Sequence, residues 1–385
     1  MKIQNSSRSN QGNLLAVMRY LRINGAQSNA DLARVFAVPA GTTARYIARL
    51  KELELIRKVT AKSTEDKSVG KPPILYEVNP VAGSILTVEV NKRKVVISCC
   101  DFAGKIVFSD EYKALKEEAL VEQVKDLISE QLANWATDIP APACVVCGVS
   151  ASVSRDNIVN GSIFPKNLNL SEVLNSVINI PVIVENDANL AVIGEKNFGI
   201  VKKASDVICI LDSYDFGIGL FINGKLFKGF HGRAGEATVA DLLLGAKEPI
   251  NLADGLKLEQ SFDDGVEFDL SDHAGVYRSL GEFATCGDNN AVLVLDRIAS
   301  KLLDQSIRLI RLIDPEKLVI SGDVVQAGKY FFEIFFTKLK QLHVKSSTDF
   351  ELEQIVFSEF TGNVVSTGAG AVGIDKHICD LTQRK

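Results

Sequence analysis

The sequence predicts two units of different class: a winged helix-turn-helix head over residues 1–80, and an α/β body over 81–385 built of two lobes around a cleft. Three observations carry this reading. Residues 1–80 hold 13 Lys and Arg against 6 Asp and Glu, although the whole chain has a net charge of −5, so a basic head sits on an acidic body. The body twice shows a strand-turn-strand opening followed by helices and further strands, which reads as an internal duplication. Between the two cycles, a short apolar strand from Val182 runs directly into the polar cluster Asn186, Asp187 and Asn189.

The composition limits the alternatives. At 385 residues and 46% hydrophobic, the chain can bury the cores of two or three domains. No apolar run approaches the roughly 20 residues of a membrane span. The opening MKIQNSSRSNQGN lacks the apolar core of a signal peptide, so a cytoplasmic protein without membrane partners is expected. Seven cysteines without framework spacing agree with a reducing compartment. Cys144 and Cys147 form the only CxxC, in ACVVCGVSAS, which reads as a buried strand rather than a redox or metal site. Four scattered histidines suggest no zinc site.

In the head, Asn13 to Ile23 is an amphipathic helix closed by Gly25, with Leu14, Leu15, Val17, Met18 and Leu21 inward and Arg19 and Arg22 outward. Ser28 and Asp31 fit a capping box that opens a second helix ending before Pro39. A third helix, Gly41 to Leu53, buries Ile47 and Leu50 and gathers Thr42, Thr43, Arg45, Tyr46 and Arg49 on its other side. A tight turn between two helices, the second presenting such side chains early, is the geometry that reads a DNA major groove. Arg45 and Arg49 suit guanine edges or phosphates. Two short strands then flank a Lys-rich tip, a wing in which Lys62, Lys67 and Lys71 suit phosphate or minor-groove contact.

Asn79-Pro80 is a short joint. The first lobe is expected over about 81–190 together with the C-terminal helix, and the second over about 191–370. SILTVEV and KVVISCCDFAGKIV form a hairpin; a helix follows near Leu120 to Trp135, then the strands ACVVCGVS and 182–185. VICIL and GIGLFINGKLFKG open the second cycle, which closes with a helix from Val292 to Ile313 and the strand KLVISG. The apolar face of Val292 to Ile313, and Phe331, Phe332, Phe335 and Phe336, read as core. The segment 245–272 is irregular and acidic.

The strand from Val182 delivers a carboxylate to its own tip, where helical spacing begins at once, with Leu190, Ile193 and Phe198 on one face. Open α/β sheets bind ligands at that edge. Asp187 there can accept a hydrogen bond or proton from a hydroxyl, and Asn186 can donate and accept. Helix capping is the plainer reading of the same residues.

The basic three-helix head, the Gly-Lys-Pro-Pro wing end, VENDAN, NGKLFKGFHGRAGE and DPEKLVISG, in that order, resemble the ROK family of sugar kinases and sugar-responsive transcriptional repressors. The resemblance implies a winged helix-turn-helix followed by an actin-like, ribonuclease H-like sugar kinase fold. It puts Asp187 on the family's catalytic base, Asn186 and Asn167 on sugar-contacting positions, and Glu236 and Glu259 on carboxylates that hold sugar hydroxyls.

The departures from the family pattern are as informative. Where a kinase of the family has a Gly-Gly-Thr turn against the ATP phosphates, this chain has Asn91, Lys92 and Arg93, and the preceding acid is Glu89. Ser213, Tyr214 and Asp215 replace a second Gly-Thr-Gly, and Asp215 would repel a phosphate. Thr238 and Val239 stand where the zinc motif begins, and no cysteine cluster follows. The sequence therefore leads us to expect a DNA-binding regulator, a repressor of carbohydrate genes, as a homodimer or homotetramer. Asp187 would be a vestigial base in a body that senses a sugar without ATP, zinc or catalysis. The alternatives are an ATP-dependent sugar kinase with a fused DNA-binding head, and a constitutive DNA-binding protein whose body only dimerises.

Overall fold

A computed structural model describes residues 9–60, 73–213, 216–236, 268–269, 272–345 and 351–383. In the head, α1 (Ser9–Asn24) leads through β1 (Gln27–Ser28) to α2 (Asn29–Phe36) and α3 (Ala40–Glu52). The antiparallel strands β2 (Ile56–Thr60) and β3 (Ile74–Val78) complete a small sheet of order β1-β3-β2. Ser28 and Asp31 form the expected capping box, which holds the Asp31 carboxyl below its ordinary range. Ala37, in the left-handed conformation, ends α2. Val17, Met18 and Leu21 of α1 close on Leu32, Phe36, Ile47, Leu50 and Leu55, all buried. Burying side chains of this size contributes about 1.5–3 kcal/mol each, enough to hold three short helices that would not persist alone.

The first lobe begins with β4 (Ser84–Val90), β5 (Lys94–Asp101) and β6 (Ile106–Lys113). The turn expected to close a two-stranded hairpin thus continues into a third antiparallel strand, whose outer face is largely exposed and carries weak apolar patterning. After α4 (Glu117–Ala133) come β7 (Pro142–Val149), the short pair β8 (Ser152–Val153) and β9 (Val159–Asn160), α5 (Leu170–Asn175) and β10 (Val182–Asn186). The helix α6 (Asp187–Asn197) follows without a break. Cys144 and Cys147 are buried in β7, where desolvation pushes both thiols up to about 12, as packed core residues require.

The second lobe repeats the scheme with β11 (Val207–Asp212), β12 (Phe216–Ile222), β13 (Lys225–Leu226), α7 (His273–Thr285) and α8 (Asn289–Ile313). It continues through β14 (Lys317–Gly322), α9 (Gly328–Lys345) and β15 (Ile355–Phe357), and the chain closes on α10 (Val364–Gln383). The two sheets have matching orders, β6-β5-β4-β7-β10 and β13-β12-β11-β14-β15, with the first three strands antiparallel and the last two parallel in each. The duplication read from the sequence is therefore topological as well. The apolar face of α8 is buried, and Phe331 and Phe335 are fully enclosed around Phe357.

α6 is buried on nearly every side rather than amphipathic, contrary to the helical face expected from its spacing. Neighbours on both sides explain this. On one side β12 offers Gly217 and Gly219, and a Cβ on Gly219 would stand 2.1 Å from the carbonyl oxygen of Ala188. On the other, Gly194 of α6 meets Gly368 of α10, where a Cβ on Gly368 would lie 1.9 Å from the Leu190 oxygen. Backbone meets backbone at both contacts, so α6 is gripped between the lobes. α10 itself lies against β4, β5 and β7 of the first sheet.

Candidate effector site and its connection to the head

Asn186 is both the last residue of β10 and the N-cap of α6, its Oδ1 accepting the Asn189 N–H at 3.0 Å. Its Nδ2 donates to the Ala151 carbonyl at 3.1 Å and, across the cleft, to Oε1 of Glu236 at 3.4 Å. Asp187 occupies the first turn of α6, 7% exposed, with Oδ1 accepting the Ala188 N–H at 2.7 Å. Capping and site geometry thus coincide in these two residues.

Glu236 directly follows Gly235 in the loop after β13, where Gly232 and Gly235 both have positive φ; a Cβ on Gly235 would reach within 1.9 Å of the Ile218 oxygen. The close approach seats the loop on β12 and turns Glu236 toward Asn186. The residue is exposed overall, yet desolvation by the surrounding cleft pushes its carboxyl up to about 7, with the Arg233 guanidinium pulling the other way. Asn167, left-handed at φ 60°, is exposed on a neighbouring rim: Leu168 bridges to Val159 of β9, and β9 pairs with β8 beside Ala151. Among the described residues no hydrogen bond joins Asn167 to Asn186, Asp187 or Glu236. Glu259 lies outside the described residues.

Two participants escaped the sequence reading. Glu185 is buried, and its Oε1 accepts the Asn186 N–H and the Asn189 Nδ2, both at 3.0 Å. Its Oε2 pairs with the Lys228 ammonium from the loop after β13, a second tie between the lobes. Glu185 is adjacent to the residues singled out, so its position was a usable signal; Lys228 gave none. The cluster alternates carboxylates with carboxamides, a set of acceptors and donors suited to vicinal hydroxyls.

The turn that would face a nucleotide is occupied from within. Asn91 is buried, and its Oδ1 accepts the N–H groups of Arg93 at 2.9 Å and Lys94 at 3.0 Å. Those are the kind of backbone donors that a phosphate cradle must leave open. Nearby, desolvation pushes Glu89 and Asp212 up to about 7 and Asp323 up to about 6. Burial works against the Lys94 ammonium, but Glu111, Glu89 and Asp323 together hold it above its ordinary range. Tyr214 and Asp215 lie outside the described residues.

On the head, the structure separates the residues expected to meet DNA. Thr43 is fully buried, its Oγ1 donating to Asn29 Oδ1 at 2.6 Å, so it braces α3 on α2 and cannot reach a base; this corrects the expectation. Tyr46 is half-buried against the head core, and its hydroxyl accepts from Asn13 Nδ2 at 2.9 Å, so it too serves packing. The reason is rotational: at 100° per residue, positions 43, 46, 47 and 50 share the inner stripe of α3. Arg45 is exposed, Thr42 half-buried at the start of α3, and exposed Arg49 bonds Glu52 at 3.1 Å. Lys62, Lys67 and Lys71 lie outside the described residues.

The other end of α6 reaches this head. Arg22, its side chain 2% exposed, donates to Asn197 Oδ1 at 2.5 Å, contacts Asp375 of α10 at 3.1 Å and stacks over the Phe198 ring. Arg19 adds a 2.6 Å contact to the same Asp375. One helix therefore begins in the polar cluster and ends on the head.

The two matching sheets, the helix gripped between them and the polar cluster at the lobe junction define a class. Residues 85–238 match the family model described as ROK family, and the chain carries a ROK family domain. It is 23% identical to the xylose repressor of Caldicellulosiruptor bescii, covering 86% of this chain and 87% of the relative. It is 20% identical to the DNA-binding transcriptional repressor Mlc of Escherichia coli, over 86% of each. The xylose repressor of Bacillus subtilis is 27% identical, but is matched over only 56% of its length. A glucokinase of Halalkalibacterium halodurans is 30% identical over 41% of this chain and 54% of its own. Among solved structures, a ROK family transcriptional regulator, homolog of E. coli MLC, superposes with a TM-score of 0.74 at 19% identity, over 96% of this chain and 97% of that one. A ROK family glucokinase from Streptomyces griseus superposes at 0.62 and 21% identity, over 75% and 99%. These likenesses establish the actin-like, sugar kinase-type fold. No helix among the described residues is long and apolar enough to cross a membrane.

Proposed function

We propose that the protein is a sequence-specific DNA-binding transcriptional repressor of carbohydrate genes, with a kinase-like body that senses a sugar without phosphorylating it. The observation that carries this reading is α6, which starts at the candidate sugar site and ends on Arg22 of the head. The head, residues 1–80, acts as a winged helix-turn-helix with α3 as its recognition helix, and residues 81–385 form the sensing and oligomerising body. Arg45, with Thr42 and Arg49, meets bases or phosphates, and the basic tip around Lys71 adds phosphate contacts. A homodimer, or a tetramer built from it, would set two such helices on half-sites. Similarity over 86% of the chain to a repressor named for xylose and to Mlc supports the same reading.

Asn186, Asp187 and Glu236 hold the sugar hydroxyls, with Asn167 on the rim, and Glu259 is the further sugar carboxylate that the family resemblance implies. The sugar then favours one arrangement of lobes and head over another, which requires different affinities for the two. Asn91 supports the absence of catalysis. With its carboxamide holding the turn N–H groups, and with no zinc motif in the sequence, neither ATP nor zinc is needed. Phosphoryl transfer depends on positioning and charge neutralisation, and burial raises Glu89 and Asp323, with Lys94 opposing the shift in both. The function is tested by calorimetric titration with xylose, glucose and N-acetylglucosamine, with and without ATP, beside an ADP-release assay. One sugar should bind, independently of ATP and lost in Asp187→Ala, with no turnover.

The second reading is a kinase with a fused head, and the buried Asp187 at a strand end is the observation that favours it. Sugar-dependent ADP release that vanishes in Asp187→Asn would establish that reading instead.

A further inference from the structure

Between the head and the body lies a cavity of about 510 Å³, at the opposite end of α6 from the sugar-like cluster. Arg19 and Ile23 of α1 form one wall, and Asn197 of α6 and Asp375 of α10 form its base. The loop 202–205 and the β12–β13 hairpin, with Lys225, complete it. The volume falls within the usual range for small-molecule sites.

Its charge is lopsided. Lys202, Lys203 and Lys225 all line the cavity, and none of the three forms an ion pair among the described residues. The one lining acid, Asp375, is already engaged by Arg19 and Arg22. Two neighbouring acids, Glu316 and Asp206, accept the Ser205 N–H at 2.7 Å and the Asn223 N–H at 2.8 Å, and their charges act on Lys196. Lys196 is not part of this excess, because its buried ammonium donates to the carbonyls of Val201, Lys202 and Ala204 and so fixes the loop that carries Lys202 and Lys203. Three uncompensated ammonium groups on a built loop and hairpin call for an anion carrying close to two charges. A phosphate monoester supplies about −1.5 to −2 and three acceptor oxygens, whereas a carboxylate supplies one charge. Ile193, Phe221 and Leu226 offer an apolar side for a carbon skeleton, and Ser205 and Asn197 offer partners for its hydroxyls.

We propose that this cavity is a second ligand site, for a small phosphomonoester such as a sugar phosphate, formed jointly by α1 of the head and by α6, α10 and the β12–β13 hairpin of the body. A ligand there touches both units at once, so its occupancy is linked to how the head sits on the body. The site is spatially separate from the cleft at Asp187 and does not rest on the sugar reading.

The test is calorimetric titration of the full-length protein, at constant ionic strength, with glucose 6-phosphate, glycerol 3-phosphate and inorganic phosphate. At least one of the two esters should bind, with its Kd raised tenfold or more in the double variant Lys203→Glu/Lys225→Glu and unchanged in Asp187→Ala. Lys203→Gln/Lys225→Gln repeats the measurement without reversing charge; both lysines are exposed, so neither pair burdens the fold. Silence from both esters overturns the proposal, as does an equal Kd in the lysine variants. A loss in Asp187→Ala would place the ester in the cleft instead, also against it. If the lysine variants bind duplex DNA tenfold more weakly with no ester present, Lys203 and Lys225 are DNA phosphate contacts and the proposal fails.

Discussion

Arg22 of the head and Asn197 at the end of α6 are joined by a 2.5 Å hydrogen bond, with the guanidinium stacked over Phe198 and only 2% exposed. A buried cation at a junction is costly to desolvate, so this contact is not by itself a source of great stability. Replacing Arg22 by Ala should lower stability by about 1–3 kcal/mol, because Asp375 keeps Arg19 as a partner. Its larger effect should be functional: the variant should bind DNA and sugar separately but lose the influence of one on the other. Anisotropy titrations with and without the sugar measure that coupling. Intact coupling in the variant would remove Arg22 from the path.

The grip on α6 gives a purely steric prediction. Gly219→Ala places a Cβ 2.1 Å from the backbone oxygen of Ala188, which cannot move without shifting the helix. A loss of ~3 kcal/mol is expected from such overpacking. Gly224→Ala serves as a comparison, since no atom lies within 4 Å of its Cβ position, although its φ of +71° still costs about 1 kcal/mol. Thermal melts of the two variants should differ clearly, and equal melts would show that the lobe contact yields.

Glu89 makes stability depend on pH with a definite sign. Its folded value lies at about 7 against an ordinary 4.5, chiefly through desolvation, with Lys94 opposing. The folded state therefore binds a proton that the unfolded chain has released, so this contribution falls as pH rises from about 4 to about 7 and is fully lost above that. Glu89→Gln removes the penalty. The variant should be more stable than the parent at pH 8, by on the order of 1–3 kcal/mol, and no more stable at pH 4.5. An equal gain at both values would trace the effect to packing instead.

The head offers a paired comparison on one helix. Arg45→Ala should leave the melting temperature within about a degree and weaken DNA binding tenfold or more, the scale of one good base or phosphate contact. Thr43→Val deletes the 2.6 Å bond to Asn29 from a buried site and should cost about 1–2 kcal/mol of stability. Circular dichroism melts and anisotropy separate the two, and a reversal of the pattern would mean that α3 does not present Arg45 to DNA.

Much of this was legible in the sequence because it rests on local chemistry. The capping box at Ser28 and Asp31, the strand running into Asn186 and the repeated strand order all follow from short-range pattern. Thr43 and Tyr46 were misplaced because Thr and Tyr suit a DNA face and a packed stripe equally well, and only the third dimension fixes the rotation of α3. The Lys228–Glu185 tie joins residues from different lobes and left no pattern to read. The burial of α6 depends on Gly217, Gly219 and Gly368, whose importance lies in what approaches them.

The central claim is that the head reads a specific duplex and that the body answers to a sugar. The most direct measurement is fluorescence anisotropy of the intact protein with duplex from its own upstream region against random duplex, at about 0.15 M salt, where surface charges are well screened. The account predicts a preference of about a thousandfold or more for the upstream duplex, shifted by one sugar in the wild type and by none in Asp187→Ala. Equal binding of the two duplexes would contradict it, whatever the sugar does.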